Sequence, residues 1–63
     1  MTIGLEIRLQ SEELEAGRWY TVREAAAALR LNHSNAYRRL GQMHASGLLE
    51  RRENRGVLEY RRV

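Results

Sequence analysis

The 63 residues make one domain with no room for a second core, and a chain this short hides only roughly 60% of its unfolded surface on folding. With no cysteine and two histidines, it excludes disulfide staples and cysteine-based zinc fingers. No apolar stretch approaches the ~20 residues of a membrane span and no secretory leader pattern opens the chain, so a cytoplasmic protein is expected. The charge is peculiar: all 11 bases are arginine and all 8 acids are glutamate, net +3.

The first segment admits two readings. Ile3, Leu5, Ile7 and Leu9 alternate with Thr2, Gly4, Glu6, Arg8 and Gln10, as in a half-buried strand. Wound as a helix, the same residues put Ile3, Ile7 and Leu14 on one face and Leu5, Leu9 and Ala16 on the opposite one. Either way a monomer keeps something unpaired, a strand edge or an apolar stripe. Residues 1–10, through Ile3, Leu5, Ile7 and Leu9, are therefore the expected self-association segment. Ser11 to Ala16 is expected to be helical, with Gly17 as its stop. Arg18-Trp19-Tyr20 reads as a short extended link whose aromatics cover the core.

Thr21-Val-Arg-Glu24 is a capping box that opens a helix. Ala25 to Ala28 continue it with side chains small enough to let a neighbouring helix approach closely. Arg30-Leu31-Asn32-His33 is a turn with Leu31 pointing inward, and Asn32 or Ser34 caps the next helix. In that helix Ala36, Leu40 and Met43 recur at the spacing of one buried face, flanked by Tyr37 and His44. Ser34, Asn35, Arg38 and Gln42 lie away from it.

After Gly47 the period changes. Residues 48–52 and 57–63 are expected strands, joined by a Glu53-Asn54-Arg55-Gly56 turn in which Gly56 or Asn54 takes a positive φ. The charge is divided between the halves. Residues 1–30 hold four arginines against five glutamates, net −1, and residues 31–63 hold seven against three, net +4. Such an asymmetry is the electrostatic footprint expected of a nucleic-acid face. Exclusive use of arginine fits phosphate and guanine recognition, and equally fits a GC-rich coding sequence.

The run Tyr-Thr-Val-Arg-Glu…Ala-Leu…Leu…Ser-Asn-Ala-Tyr-Arg-Arg-Leu…Met…Ser-Gly-Leu-Leu-Glu-Arg-Arg resembles bacterial winged helix-turn-helix transcription regulators of the MarR and ArsR groups. It covers about two-thirds of the chain. Two positions depart from the pattern: Arg30 stands where many relatives have glycine, and Ala25 where a larger aliphatic residue is common. The resemblance implies a mainly α fold with a small β-hairpin (α+β), a three-helix winged helix-turn-helix over residues 1–63. It places the helix-turn-helix at 21–46 and a wing hairpin at 48–63. The helix at about 34–45 would enter the major groove of double-stranded DNA, and the wing at 54–56 would meet backbone or minor groove.

On that reading Asn35 and Arg38 are base readers, since asparagine and arginine form paired hydrogen bonds with adenine and guanine. Ser34 and His33 stand at the helix start, where phosphate is met, although His33 also fits a local cap. Arg39 and Gln42 are backbone contacts, and Tyr37 is divided between the core edge and a phosphate. Arg55 is the leading wing residue. Arg51, Arg52, Arg61 and Arg62 supply a diffuse positive surface, part of it paired with Glu50, Glu53 or Glu59; Arg52 is counted with the site. No catalytic set can be assembled, and His33 and His44 stand about three turns apart on a helix, too far to share a metal. No enzyme activity, cofactor, metal or small-molecule effector is expected. The expected function is that of a sequence-specific DNA-binding regulator acting as a homodimer; the alternative is a winged-helix module that docks on protein.

Overall fold

The computed structural model describes residues 3–63, with the side chain of Ile3 outside the described set. The elements are α1 (Ile3–Ser11), β1 (Trp19–Thr21), α2 (Val22–Leu29), α3 (His33–Ala45), β2 (Leu49–Asn54) and β3 (Val57–Arg62). Three helices thus accompany one antiparallel sheet of strand order β1-β3-β2. No described helix is long and apolar enough to cross a membrane.

The N-terminal segment is helical. Ile7 is buried in the core, whereas Leu5 and Leu9 each keep 54% of their surface. This corrects the self-association set: Ile7 is a core residue, the side chain of Ile3 lies outside the described residues, and Leu5 and Leu9 form the open stripe. The helix stops at Ser11 rather than running to Ala16. Ser11 is buried, and its hydroxyl donates to the Arg8 carbonyl at 2.6 Å, a local bond that competes with helix continuation. The next residues form turns that let Leu14 drop into the core, 1% exposed. Gly17, at φ +81°, then reverses the chain into β1.

Four local devices set the path from β1 to the hairpin. The Thr21 hydroxyl accepts from the Glu24 amide at 3.1 Å while the Glu24 carboxylate accepts from the Thr21 amide at 2.9 Å, completing the capping box of α2. At the other end Arg30 adopts the left-handed conformation (φ 59°, ψ 43°), and the Leu31 amide donates to the Ala26 carbonyl at 2.9 Å. This is a Schellman closure, with an arginine where glycine is usual and with Leu31 packed on the core as its apolar anchor. Gly47 closes α3 in the same manner, with the Leu48 amide donating to the Met43 carbonyl at 2.9 Å. The cap of α3 is Asn32, whose side chain accepts from the Asn35 amide at 2.8 Å; Ser34 is inside the helix.

The core joins Ile7, Leu14, Tyr20, Ala25, Leu29, Leu40, Met43, Leu49 and Tyr60. Ala25 on α2 and Ala36 on α3 are both fully buried, the expected result of two helices crossing on small side chains. Two tyrosines bring the sheet in. Tyr20 and Tyr60 are direct partners across β1 and β3, and the Tyr20 hydroxyl accepts from the Glu15 amide at 2.8 Å, so its polar end is satisfied. The hairpin β2–β3 pairs from Leu49↔Arg62 to Asn54↔Val57. Its loop is Arg55-Gly56, both with positive φ (55° and 80°), as a type I′ turn requires. Asn54 is therefore the last strand residue, and Arg55, not Asn54, joins Gly56 in the left-handed region.

Because Asn32 alone caps α3, Asn32→Ala is expected to lower stability by about 1 kcal/mol. Ser34→Ala should stay within about 0.5 kcal/mol of the parent. Urea unfolding of the two variants checks this assignment; equal losses would contradict it.

Candidate nucleic-acid interface

The helix α3 turns Ala36, Leu40 and Met43 inward, all fully buried. With about 100° between successive residues, Ser34, Arg38 and Ala45 fall on the opposite side, and Asn35 and Gln42 beside them. All five are exposed. The small Gly41 shares this side, leaving the ridge low between the longer side chains. Asn35 and Arg38 are joined: the Asn35 Oδ1 accepts from the Arg38 Nη2 at 3.0 Å. That bond stands the guanidinium beside the amide, so the two polar heads are presented as a unit rather than as independent flexible arms.

His33 and Tyr37 occupy the flank of α3 that faces α2 and the hairpin tip. They line a groove of about 400 Å³ together with Thr21, Val22, Arg23, Gly56, Val57 and Leu58. Tyr37 is 53% exposed and Val57 47%, so Tyr37 is a groove wall and not a core-edge residue. Arg55 stands at the tip of the hairpin bordering this groove, held by a turn conformation that costs a side-chain-bearing residue strain. Among the described residues, Arg23, Arg38 and Arg55 have no salt-bridge partner.

Two residues assigned to the site lie elsewhere. Arg39 is half-buried on the opposite flank of α3, in a groove with Glu6, Leu9, Gln10 and Glu13 of α1 and the turn after it. Its surroundings are acidic, and although Asn35 and Gln42, four and three residues away, share its flank, Arg39 is turned further toward α1. Arg52 belongs to the sheet face turned away from the helices. On that face Glu50 opposes Arg61 and Arg52 opposes Glu59, with Arg52 Nε 2.7 Å from Glu59 Oε1 and Arg61 Nη2 2.6 Å from Glu50 Oε1. Both guanidiniums also lie over the Trp19 ring, at 4.1 Å for Arg52 and 4.6 Å for Arg61. Cross-strand pairing and the indole thus absorb Arg52, which is a sheet-building residue. Glu53 opposes Leu58 instead, so it takes no part in the array.

Two wall residues were missed from sequence. Arg23 is in the first turn of α2, one residue before the capping Glu24, and its position next to a helix start was the available signal. Val57 carried none, since an apolar residue opening a strand is ordinarily read as core. No protein-family model, curated protein or solved structure matches this chain.

Trp19 couples the two sheet arginines, so Trp19→Leu, which keeps apolar bulk but removes the π face, is expected to cost about 1 to 2 kcal/mol. In a double-mutant cycle Arg52→Ala should cost about 0.5 to 1 kcal/mol less in that background than in the parent. Additive losses in urea unfolding would mean that the stacking contributes nothing.

Proposed function

We propose that this chain is a winged helix-turn-helix regulator that binds double-stranded DNA sequence-specifically as a homodimer. On this reading α2 and α3 are the helix-turn-helix, α3 enters the major groove, and the β2–β3 hairpin is the wing. The observation that carries the proposal is the shared groove. His33 and Tyr37 of α3 and Gly56, Val57 and Leu58 of the hairpin line one groove, and Arg55 adjoins it at the turn. The joined Asn35–Arg38 pair stands exposed on the outer face of the same helix, with no carboxylate paired to Arg38 or Arg55 among the described residues. Asparagine and arginine side by side match adenine and guanine edges. An arginine on a hairpin tip suits a charged backbone or a narrow minor groove.

A domain of this size offers few base contacts, so two copies on a two-fold site supply what one lacks. Their recognition helices would stand about one turn of DNA apart, roughly 34 Å. The open Leu5–Leu9 stripe on α1 supports self-association, since it is the apolar part of that helix which the fold leaves unused.

Duplex binding should weaken steeply as salt rises, because each phosphate contact releases a bound counterion. Affinity that is flat between low and moderate salt would overturn the DNA reading and favour a protein-docking module. Within the site, Arg38→Ala should relax sequence preference by about 1 to 3 kcal/mol. Arg55→Asn, which suits the positive φ of the turn, should weaken specific and random duplexes alike while raising stability. Equal losses on specific and random DNA for Arg38→Ala would remove its base-reading role.

A further inference from the structure

The α1 stripe has borders of opposite charge, and this decides how two copies meet. Leu5 and Leu9 lie within about 40° of each other on the helix, opposite the buried Ile7 and Ser11. Glu6 borders the stripe on the α3 side, in the groove with Arg39 and Glu13. Arg8 borders it on the other side, lining a separate groove with Arg62, Glu12, Gly47 and Leu48, where the two arginines outnumber the one carboxylate. Both border residues are exposed.

We propose that the partner seated on this stripe is a second copy of the chain, with the two α1 helices running parallel about the two-fold axis. When that axis runs along the helices, opposite borders meet, and Arg8 of each copy faces Glu6 of the other. When the helices run antiparallel, the axis lies across them and like borders meet, Arg8 on Arg8 and Glu6 on Glu6. Opposite charges across a seam stabilise a pairing and like charges oppose it. A neutral or acidic apolar partner would leave one border unsatisfied, whereas the chain itself complements both. Parallel pairing sets Leu5 against Leu5 and Leu9 against Leu9. Two leucines on a nine-residue helix bury far less than the roughly 1,200 Å² of a stable interface. The association is consequently weak in free solution and strengthens when one DNA site holds both copies close together.

This inference rests on the homodimer part of the proposed function and is independent of DNA, so it is tested without DNA. The chain has no cysteine, which makes disulfide trapping unambiguous. Leu5→Cys and Leu9→Cys, the latter labelled with ¹⁵N, are mixed in equal amounts at high concentration and oxidised with glutathione disulfide, and the products are weighed. Parallel helices give self-disulfides of each variant and few mixed ones. Adding Arg8→Glu should slow trapping of Leu9→Cys by roughly 2- to 30-fold through two lost ion pairs, and adding Glu6→Arg to that variant should restore it. Both cysteine positions are exposed, and melting of the reduced variants verifies that they fold. Predominantly mixed disulfides would overturn the parallel arrangement and leave the homodimer standing. No disulfide in any mixture would overturn α1 as an interface, while the DNA reading would still be decided by its salt dependence.

Discussion

The close crossing of α2 and α3 on alanine governs everything that follows from this fold. Ala25 of α2 and Ala36 of α3 are fully buried in two helices that pack on each other, and side chains this small permit a closer approach of the backbones than larger residues would. That approach fixes the rotation of α3, because Leu40 and Met43 must then fill the space behind it. Once Ala36, Leu40 and Met43 face inward, Ser34, Asn35, Arg38 and Gln42 face outward by helical geometry alone. The caps hold the crossing from both sides: the Thr21–Glu24 box starts α2 at a defined residue, and Arg30 and Asn32 turn the chain within three positions. Arg30 is the costly element of that turn, since a left-handed conformation disfavours any residue with a Cβ. Its carbonyl and amide geometry matters more to the fold than its charge.

The sheet solves a different problem. A small domain has too few apolar residues to cover both faces of a hairpin, and here only Tyr60, Leu58 and Leu49 serve the inner face. The outer face is held by alternating charge, with two arginine–glutamate pairs locked over one indole. Exposed ion pairs contribute little singly, but the Trp19 ring gives both guanidiniums a common platform. The strand β1 is only three residues long, yet it brings that ring to the hairpin and covers one edge of β3. The same arrangement divides the arginines by role. Those on the outer sheet face are neutralised, while Arg38 on α3 and Arg55 at the hairpin tip keep their charge available.

Much of this was legible in the sequence where the signal was local. The capping box, the inward face of α3 and the change of period after Gly47 each follow from spacing within a few residues. The helix–strand ambiguity of residues 3–9 was not resolvable that way, because alternating and helical patterns coincide over so short a run. What decided it was tertiary: Ile7 has a place in the core beside Leu14 and Leu40, and the sheet has its third strand from Trp19–Thr21 instead. The expectation of helix through Ala16 failed at Ser11, whose side-chain bond to the Arg8 carbonyl competes with continuation, although Leu14 is buried with Ile7 as their spacing suggests. For the candidate site, the outer face of α3 and Arg55 were visible as sequence and Tyr37 was left divided between two places, whereas Arg39 and Arg52 were misplaced. Their positions depend on which element stands opposite each of them, and a charged or aromatic residue on the border of a helical stripe carries no record of its neighbour.

The central claim is that the outer face of α3 and the hairpin tip form one surface for duplex DNA. Backbone amide chemical shifts, followed by NMR while a duplex is added, test it most directly. The account predicts perturbations concentrated at Ser34, Asn35, Arg38, Gln42 and Arg55, extending into the groove at Arg23 and Tyr37 and leaving the Trp19 face of the sheet unaffected. Shifts centred on Trp19, Arg52 and Arg61, or no shifts at low salt, would contradict it.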